Sequence, residues 1–252
     1  MKLIHKVEDC AVYKGNDSTY LLKIPSSAEL LRAIKDAGTI KHVKKSANAP
    51  STNNTIKFKA TRVESLKQFV EKMHDSKDKH DKNTDGLIYT LVLKMLADVG
   101  TLLQYAMSEY GRAIPFFSLE DIIVIENENE TTATAEPTFD FVFINGEKLL
   151  ETSRENNALR VDVPLQVNKQ TSFLPVELAE SDLKHLPINV TTTTSWLYSL
   201  SSLCIYALLN YKFKNGEDDI ERIGRPFLHT SLYFCLKRCM KTKPEKRVLL
   251  YV

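Results

Sequence analysis

Residues 87–110 read LIYTLVLKMLADVGTLLQYAMSEY, and that stretch decides how the rest of the chain is organised. Leu91, Leu93, Leu96, Val99, Leu102, Leu103 and Met107 fall at spacings that wrap much of the circumference of one long helix. A helix that is apolar on most faces needs protein around it, so this one is expected at the centre of a larger folded unit. No apolar run reaches the roughly 20 residues of a membrane span, and no membrane partner is expected.

Upstream the character differs. Residues 74–85 (HDSKDKHDKNTD) carry no apolar side chain and predict a solvated linker, placed at 75–86, between a β-rich unit (1–74) and a helical one (87–252). Residues 3–7, 11–13 and 20–24 alternate apolar and polar, and Gly15-Asn16-Asp17-Ser18 has the residue types of a hairpin turn. Ser27 ahead of Ala28-Glu29-Leu30-Leu31 predicts a capped helix start. Residues 41–54 read as a loop, 55–60 as a further strand, and 63–73 as a helix with Leu66, Phe69, Val70 and Met73 on one face.

Downstream, residues 121–125 and 139–144 predict two strands, with Asn145-Gly146 as a turn dipeptide after them. Helices are expected at about 195–211 and 227–241, with short pieces between. The fold class read from these patterns is α+β.

Composition excludes several functions. The chain has 252 residues, and its 34 basic and 32 acidic side chains leave a net charge of +2, so overall charge gives no drive toward nucleic acid. Lys35, Lys41, His42, Lys44, Lys45, Lys57 and Lys59 form a local basic cluster that the near-neutral total leaves as a solvated loop. Four cysteines in a chain of this length make no disulfide framework, and Met1-Lys2-Leu3-Ile4-His5-Lys6 lacks the apolar core of a secretory signal. A cytoplasmic or nuclear location follows as the expectation. Cys235 and Cys239 stand four apart on one helix face without a second pair, and the histidines show no metal-ligand spacing, so no metal is expected. No Walker, dinucleotide or G-x-S-x-G motif occurs.

The order of small sheet, helix, linker, buried helix, hairpin and further helices resembles that of a protein kinase. Leu21-Leu22-Lys23-Ile24 resembles the strand pattern V-A-I-K, with Glu29 as the ion-pair partner the resemblance implies for Lys23. Phe116 to Val124 (FFSLEDIIV) resembles the catalytic loop D-L-K-P-x-N-I-L, and Phe143-Ile144-Asn145-Gly146 falls where D-F-G would fall. Phe173 to Leu178 (FLPVEL) resembles A-P-E, and Ser195 to Ser201 (SWLYSLS) resembles D-x-W-S-L-G. Leu236-Lys237-Arg238-Cys239-Met240 and Pro244-Glu245-Lys246-Arg247 resemble R-C-L…P-x-x-R. The resemblance implies a two-lobed fold, with a small antiparallel N-lobe, a mainly helical C-lobe, and a structural Glu177–Arg247 pair. It is similar to short kinase-like proteins of large DNA viruses.

The departures decide the expected function. Phosphoryl transfer needs a carboxylate at the acceptor hydroxyl and metal ligands at the phosphates. The resemblance puts Phe116 at the first of these, and Asn145 and Asp121 at the two ligand positions. Trp196 replaces a supporting aspartate, and Glu8-Asp9-Cys10 stands where a glycine-rich loop would cradle phosphate. The expected function is that of a pseudokinase, a binding or scaffolding module with protein partners. No cofactor is required, and Lys23, Glu29, Asp121 and Asn145 are the positions at which weak ATP binding would survive. An unconventional phosphotransferase built on Lys23, Glu29 and Asp121 is one rival reading, and an unrelated α+β interaction protein is another.

Overall fold

A computed structural model describes residues 1–40, 54–77, 82–127, 137–153, 158–162, 165, 167–168, 170–179, 181, 188–190, 194–214 and 217–249. Most of the expected 41–54 loop lies outside these residues. Three alternating segments, β1 (Lys2–Val7), β2 (Cys10–Lys14) and β3 (Thr19–Lys23), form an antiparallel meander. The β2–β3 turn closes through the Gly15 N–H on the Thr19 carbonyl at 2.7 Å, with Asp17 and Ser18 at φ of 56° and 55°. Helix α1 (Ala28–Asp36) follows, its first turn capped by the Ser27 hydroxyl, which accepts from the Leu30 N–H at 3.1 Å. β4 (Thr55–Lys59) then pairs with β3 and completes the sheet. Tyr20, Leu22, Ile24 and Phe58 alternate into the same core as Leu30 and Ile34 of α1.

β5 (Arg62–Ser65) leaves that sheet. Helices α2 (Leu66–Lys77) and α3 (Lys82–Tyr110) come next, then the short strands β6 (Arg112–Ala113) and β7 (Phe117–Ser118) and the hairpin of β8 (Ile122–Asn127) with β9 (Thr138–Phe143). β5 pairs with β8, so the chain passes between sheets at Ala60–Thr61, well before the linker read from sequence. Most of that linker is helical. Residues 74–77 close α2 and 82–86 open α3, and only 78–81 fall outside the described residues. The segment has no glycine or proline before Gly86, so nothing in its composition prevents a helix.

α3 packs against β9, α5 (Ser195–Leu209) and α1. Its stretch Gly86–Tyr110 is long and apolar enough for a membrane span, a property the sequence reading discounted. Val99, Leu102, Leu103 and Ala106 are nonetheless at most 1% exposed, so the protein itself covers this part of the helix.

Between β9 and α5 the sequence reading named no strand, and the described residues there include four. These are β10 (Leu150–Ser153), β11 (Ala158–Val161), β12 (Ser172–Phe173) and β13 (Ile188–Val190), with the single-turn α4 (Val176–Ala179) among them. β6, β10, β11 and β13 form one sheet, and β12 pairs with β7. α5 is buried along nearly its whole length and ends at Asn210, in the left-handed region at φ 52°. After the single-turn α6 (Ile220–Ile223) comes α7 (Ser231–Cys239), shorter than the expected 227–241. Thr230 caps it, and Pro226 holds the preceding Arg225–Phe227 in a separate tight turn.

Candidate functional site

A cleft of about 370 Å³ lies where the β1–β2 turn meets the loops flanking the β8–β9 hairpin. Its floor is a buried polar cluster. Asp121, 1% exposed, closes the tight turn Leu119–Asp121 ahead of β8. Its Oδ2 accepts from the Ser118 N–H at 2.7 Å and from Lys148 Nζ at 2.6 Å, and its Oδ1 accepts from Asn145 Nδ2 at 2.8 Å. Lys148 Nζ also donates to Ser118 Oγ at 2.9 Å and stands 4.2 Å from the centre of the Phe116 ring. Three donors and the attached charge make the ion pair geometrically exact enough to survive burial, where an unpaired charge would not. Asn145 Oδ1 and Thr171 Oγ1, both buried in the cleft wall, have no partner among the described residues.

The cleft is closed from above by the β1–β2 turn. Asp9 Oδ1 accepts from the Ser26 hydroxyl at 3.0 Å and from Cys10 Sγ at 3.2 Å, tying the turn to the α1 entry. Gly146 fits beneath. A Cβ there would stand 2.4 Å from Ser26 Oγ and 3.0 Å from both Ile24 Cγ2 and Ser27 Cβ. Burial pushes the Cys10 thiol up to about 12, so it is no nucleophile at neutral pH. Next to Gly146, partial burial and then the neighbouring Glu8 and Asp9 raise the Glu147 carboxyl above its ordinary value.

Asp121 and Asn145 are brought together. Lys23 and Glu29 are not. Lys23 is exposed at the end of β3, does not line the cleft, and makes no ion pair among the described residues. The Glu29 carboxylate faces Arg112 of β6 at 3.9 Å, so the first turn of α1 is tied to the β6–β10 sheet. The alternation of β3 explains the difference: Leu22 and Ile24 point into the core, which leaves Lys23 on the other face.

Glu177 and Arg247 meet in a two-pronged bond. Nη1 reaches Oε1 at 2.6 Å and Nη2 reaches Oε2 at 2.8 Å. Arg247 also donates to the Lys241 and Thr242 carbonyls and lies over the Tyr198 ring, and the Ser195 hydroxyl donates to Glu177. Burial pushes the Glu177 carboxyl up, but the hydrogen bonds from Arg247 and Ser195 outweigh it and hold it below the usual glutamate range.

Two residues of the site escaped sequence reasoning. Lys148 gives no signal in Gly146-Glu147-Lys148-Leu149, because a lysine in a polar turn reads as solvated. Ser199 of α5 accepts from the Phe117 N–H at 2.7 Å and donates to the Phe173 carbonyl, holding β7 and β12 together. Trp196, at the position the resemblance gives to a supporting aspartate, is simply buried in the core.

No family model and no curated protein matches the chain. Solved structures do. A specific rhoptry antigen kinase domain from Toxoplasma gondii aligns over 99% of this chain and 76% of its own, with 13% identity and a TM-score of 0.55. The PknI kinase domain of Mycobacterium tuberculosis aligns over 98% and 88%, with 14% identity and a TM-score of 0.47. Identity this low speaks to the fold alone, and the chain has the α+β fold of protein kinase domains, with an antiparallel N-terminal sheet and a helical C-terminal part.

Proposed function

We propose that this chain is a pseudokinase: a kinase-fold module that works by binding and scaffolding protein partners and carries no phosphoryl-transfer activity. One observation carries the reading. The position that would hold the carboxylate at the acceptor hydroxyl is Phe116, whose ring is 1% exposed and lies under the Lys148 ammonium. A transferring site needs an oxygen there to orient or deprotonate the nucleophile, and a buried phenyl ring supplies none. Glu8 and Asp9 add negative charge at the turn where phosphates would approach, which opposes a nucleotide triphosphate.

The rearranged phosphotransferase reading loses support from the placement of Lys23, exposed at the end of β3, and of Glu29, which faces Arg112 and not Lys23. A cytoplasmic or nuclear setting is part of the proposal and is supported by four free, buried cysteines. The test is transfer of the γ-phosphate of labelled ATP, with magnesium or manganese, onto the chain itself and onto a generic protein acceptor. The proposal expects no transfer above a heat-denatured control. Transfer that disappears in Asp121→Asn overturns it.

A further inference from the structure

The protein-kinase fold implies a divalent cation bound beside the nucleotide, held by the side chains at positions 121 and 145. The residues present do not fit one. We infer that the Lys148 ammonium is a tethered counter-ion standing in the place of that cation, so that the Asp121–Asn145 site takes no divalent metal and the cleft takes ligands without one. The inference deepens the non-catalytic reading and rests on the same site.

Charge bookkeeping comes first. The one carboxylate of this site, Asp121, is already balanced by the Lys148 ammonium, so the pair is neutral as it stands and offers a divalent ion no net negative charge. In the kinase patterns Asp121 stands where asparagine would and Asn145 where aspartate would, so the acid has changed places and the Lys148 ammonium is the added charge. With aspartate at 145, the lysine would leave an unbalanced negative charge in a site where both partners of the existing pair are at most 5% exposed.

Coordination comes next. Asp121 already accepts three hydrogen bonds, and one of its oxygens is occupied by the amide of Asn145, which presents a donor to it where a shared metal would need an acceptor. An incoming magnesium ion, which sheds water reluctantly, would have to evict a buried ammonium whose other partners are a serine hydroxyl and a phenyl ring. Glu120, at the rim, pairs with Lys67 at 3.8 Å. Among the described residues no cluster of three or more metal-ligating side chains offers an alternative.

The unpartnered Asn145 Oδ1 marks what was lost. It is an oxygen in the same cluster with no donor among the described residues, and an ion at this place would engage it. Removing the lysine and adding a second acid beside Asp121 should therefore create a metal site in this cluster.

Titration of Mn2+ followed by the electron paramagnetic resonance signal of the free ion tests this on the whole chain. The wild type should leave the signal as buffer does. Asn145→Asp combined with Lys148→Met should remove about one ion per chain, with a thermal midpoint that rises on adding Mn2+. A stoichiometric site in the wild type overturns the inference whatever the variants do, and so does a folded double variant that binds no Mn2+. If the double variant fails to fold, the wild-type titration decides alone. A wild-type metal site without phosphate transfer would remove this inference and leave the non-catalytic reading standing, whereas transfer by the wild type would remove that reading too.

Discussion

Arg247 grips Glu177 through two hydrogen bonds of 2.6 and 2.8 Å, joining the turn after β12 to the chain's last described segment across 70 residues. The arginine side chain is fully buried and the glutamate side chain is 16% exposed, so the arginine depends on the carboxylate for its charge balance. Arg247→Ala should cost about 3–5 kcal/mol, the range for orphaning one member of a buried pair. Arg247→Lys should recover only part of this, because an ammonium cannot make the two-pronged bond. Urea unfolding midpoints check both.

The same pair sets an acid limb. The folded chain holds the Glu177 carboxyl below its ordinary value of 4.5, so the unfolded state binds the proton more readily. The contribution is complete above 4.5 and drains away as the pH falls through the lower folded value. Glu177→Gln should therefore be less stable at neutral pH and lose less on acidification than the wild type. Thermal midpoints measured from pH 7 down to pH 3 check this.

Two glycines should respond in opposite directions to alanine. At Gly146 the new methyl meets Ser26, Ile24 and Ser27, and Gly146→Ala should cost about 1–3 kcal/mol through overpacking. At Gly86, in α3, nothing lies within 4 Å, and Gly86→Ala should stabilise by roughly 0.5–1 kcal/mol. Denaturant midpoints of the two variants, compared with the wild type, give the signs.

Ser199→Ala should cost about 1–3 kcal/mol, because it strands the buried Phe117 N–H and frees the Phe173 carbonyl. Ser199→Thr keeps the hydroxyl and should fold closer to wild type, although its extra methyl must find room. Equilibrium unfolding of both variants separates the hydrogen bond from the packing.

The thiols should be silent until the chain unfolds. Burial raises Cys10 to about 12 and pushes Cys204 higher still, while Cys239 is raised first by its bond to Cys235 and then by burial. A colorimetric disulfide reagent should label the native chain slowly at pH 7 and react with all four cysteines in urea. Fast labelling of the native chain would contradict the burial.

The fold was legible where local chemistry and burial agree. Ser27 capping α1, the Gly15–Ser18 turn and the apolar wrap of α3 each have a local cause visible in the sequence. Pairing partners were less so. β5 lies largely inside the 63–73 stretch read as a helix, the helix itself starts only at Leu66, and the tertiary arrangement puts β5 beside β8. The strands between β9 and α5 are short, and four-residue alternation such as Ala158-Leu159-Arg160-Val161 is indistinguishable from loop sequence. Of the cleft, Asp121 and Asn145 were singled out through the resemblance of their segments, and the structure places the two side chains in contact there. Lys148 was not, because the burial that turns a lysine into a structural cation comes from Phe116 and Ser118, which are distant in sequence.

The most direct measurement of the central claim is the thermal unfolding midpoint with millimolar ATP, with and without magnesium, since a ligand that binds the native state raises it by mass action. A cleft with a built-in cation and no metal site predicts the same midpoint with ATP whether or not magnesium is present. A rise that requires magnesium and is lost in Asp121→Asn would contradict the account.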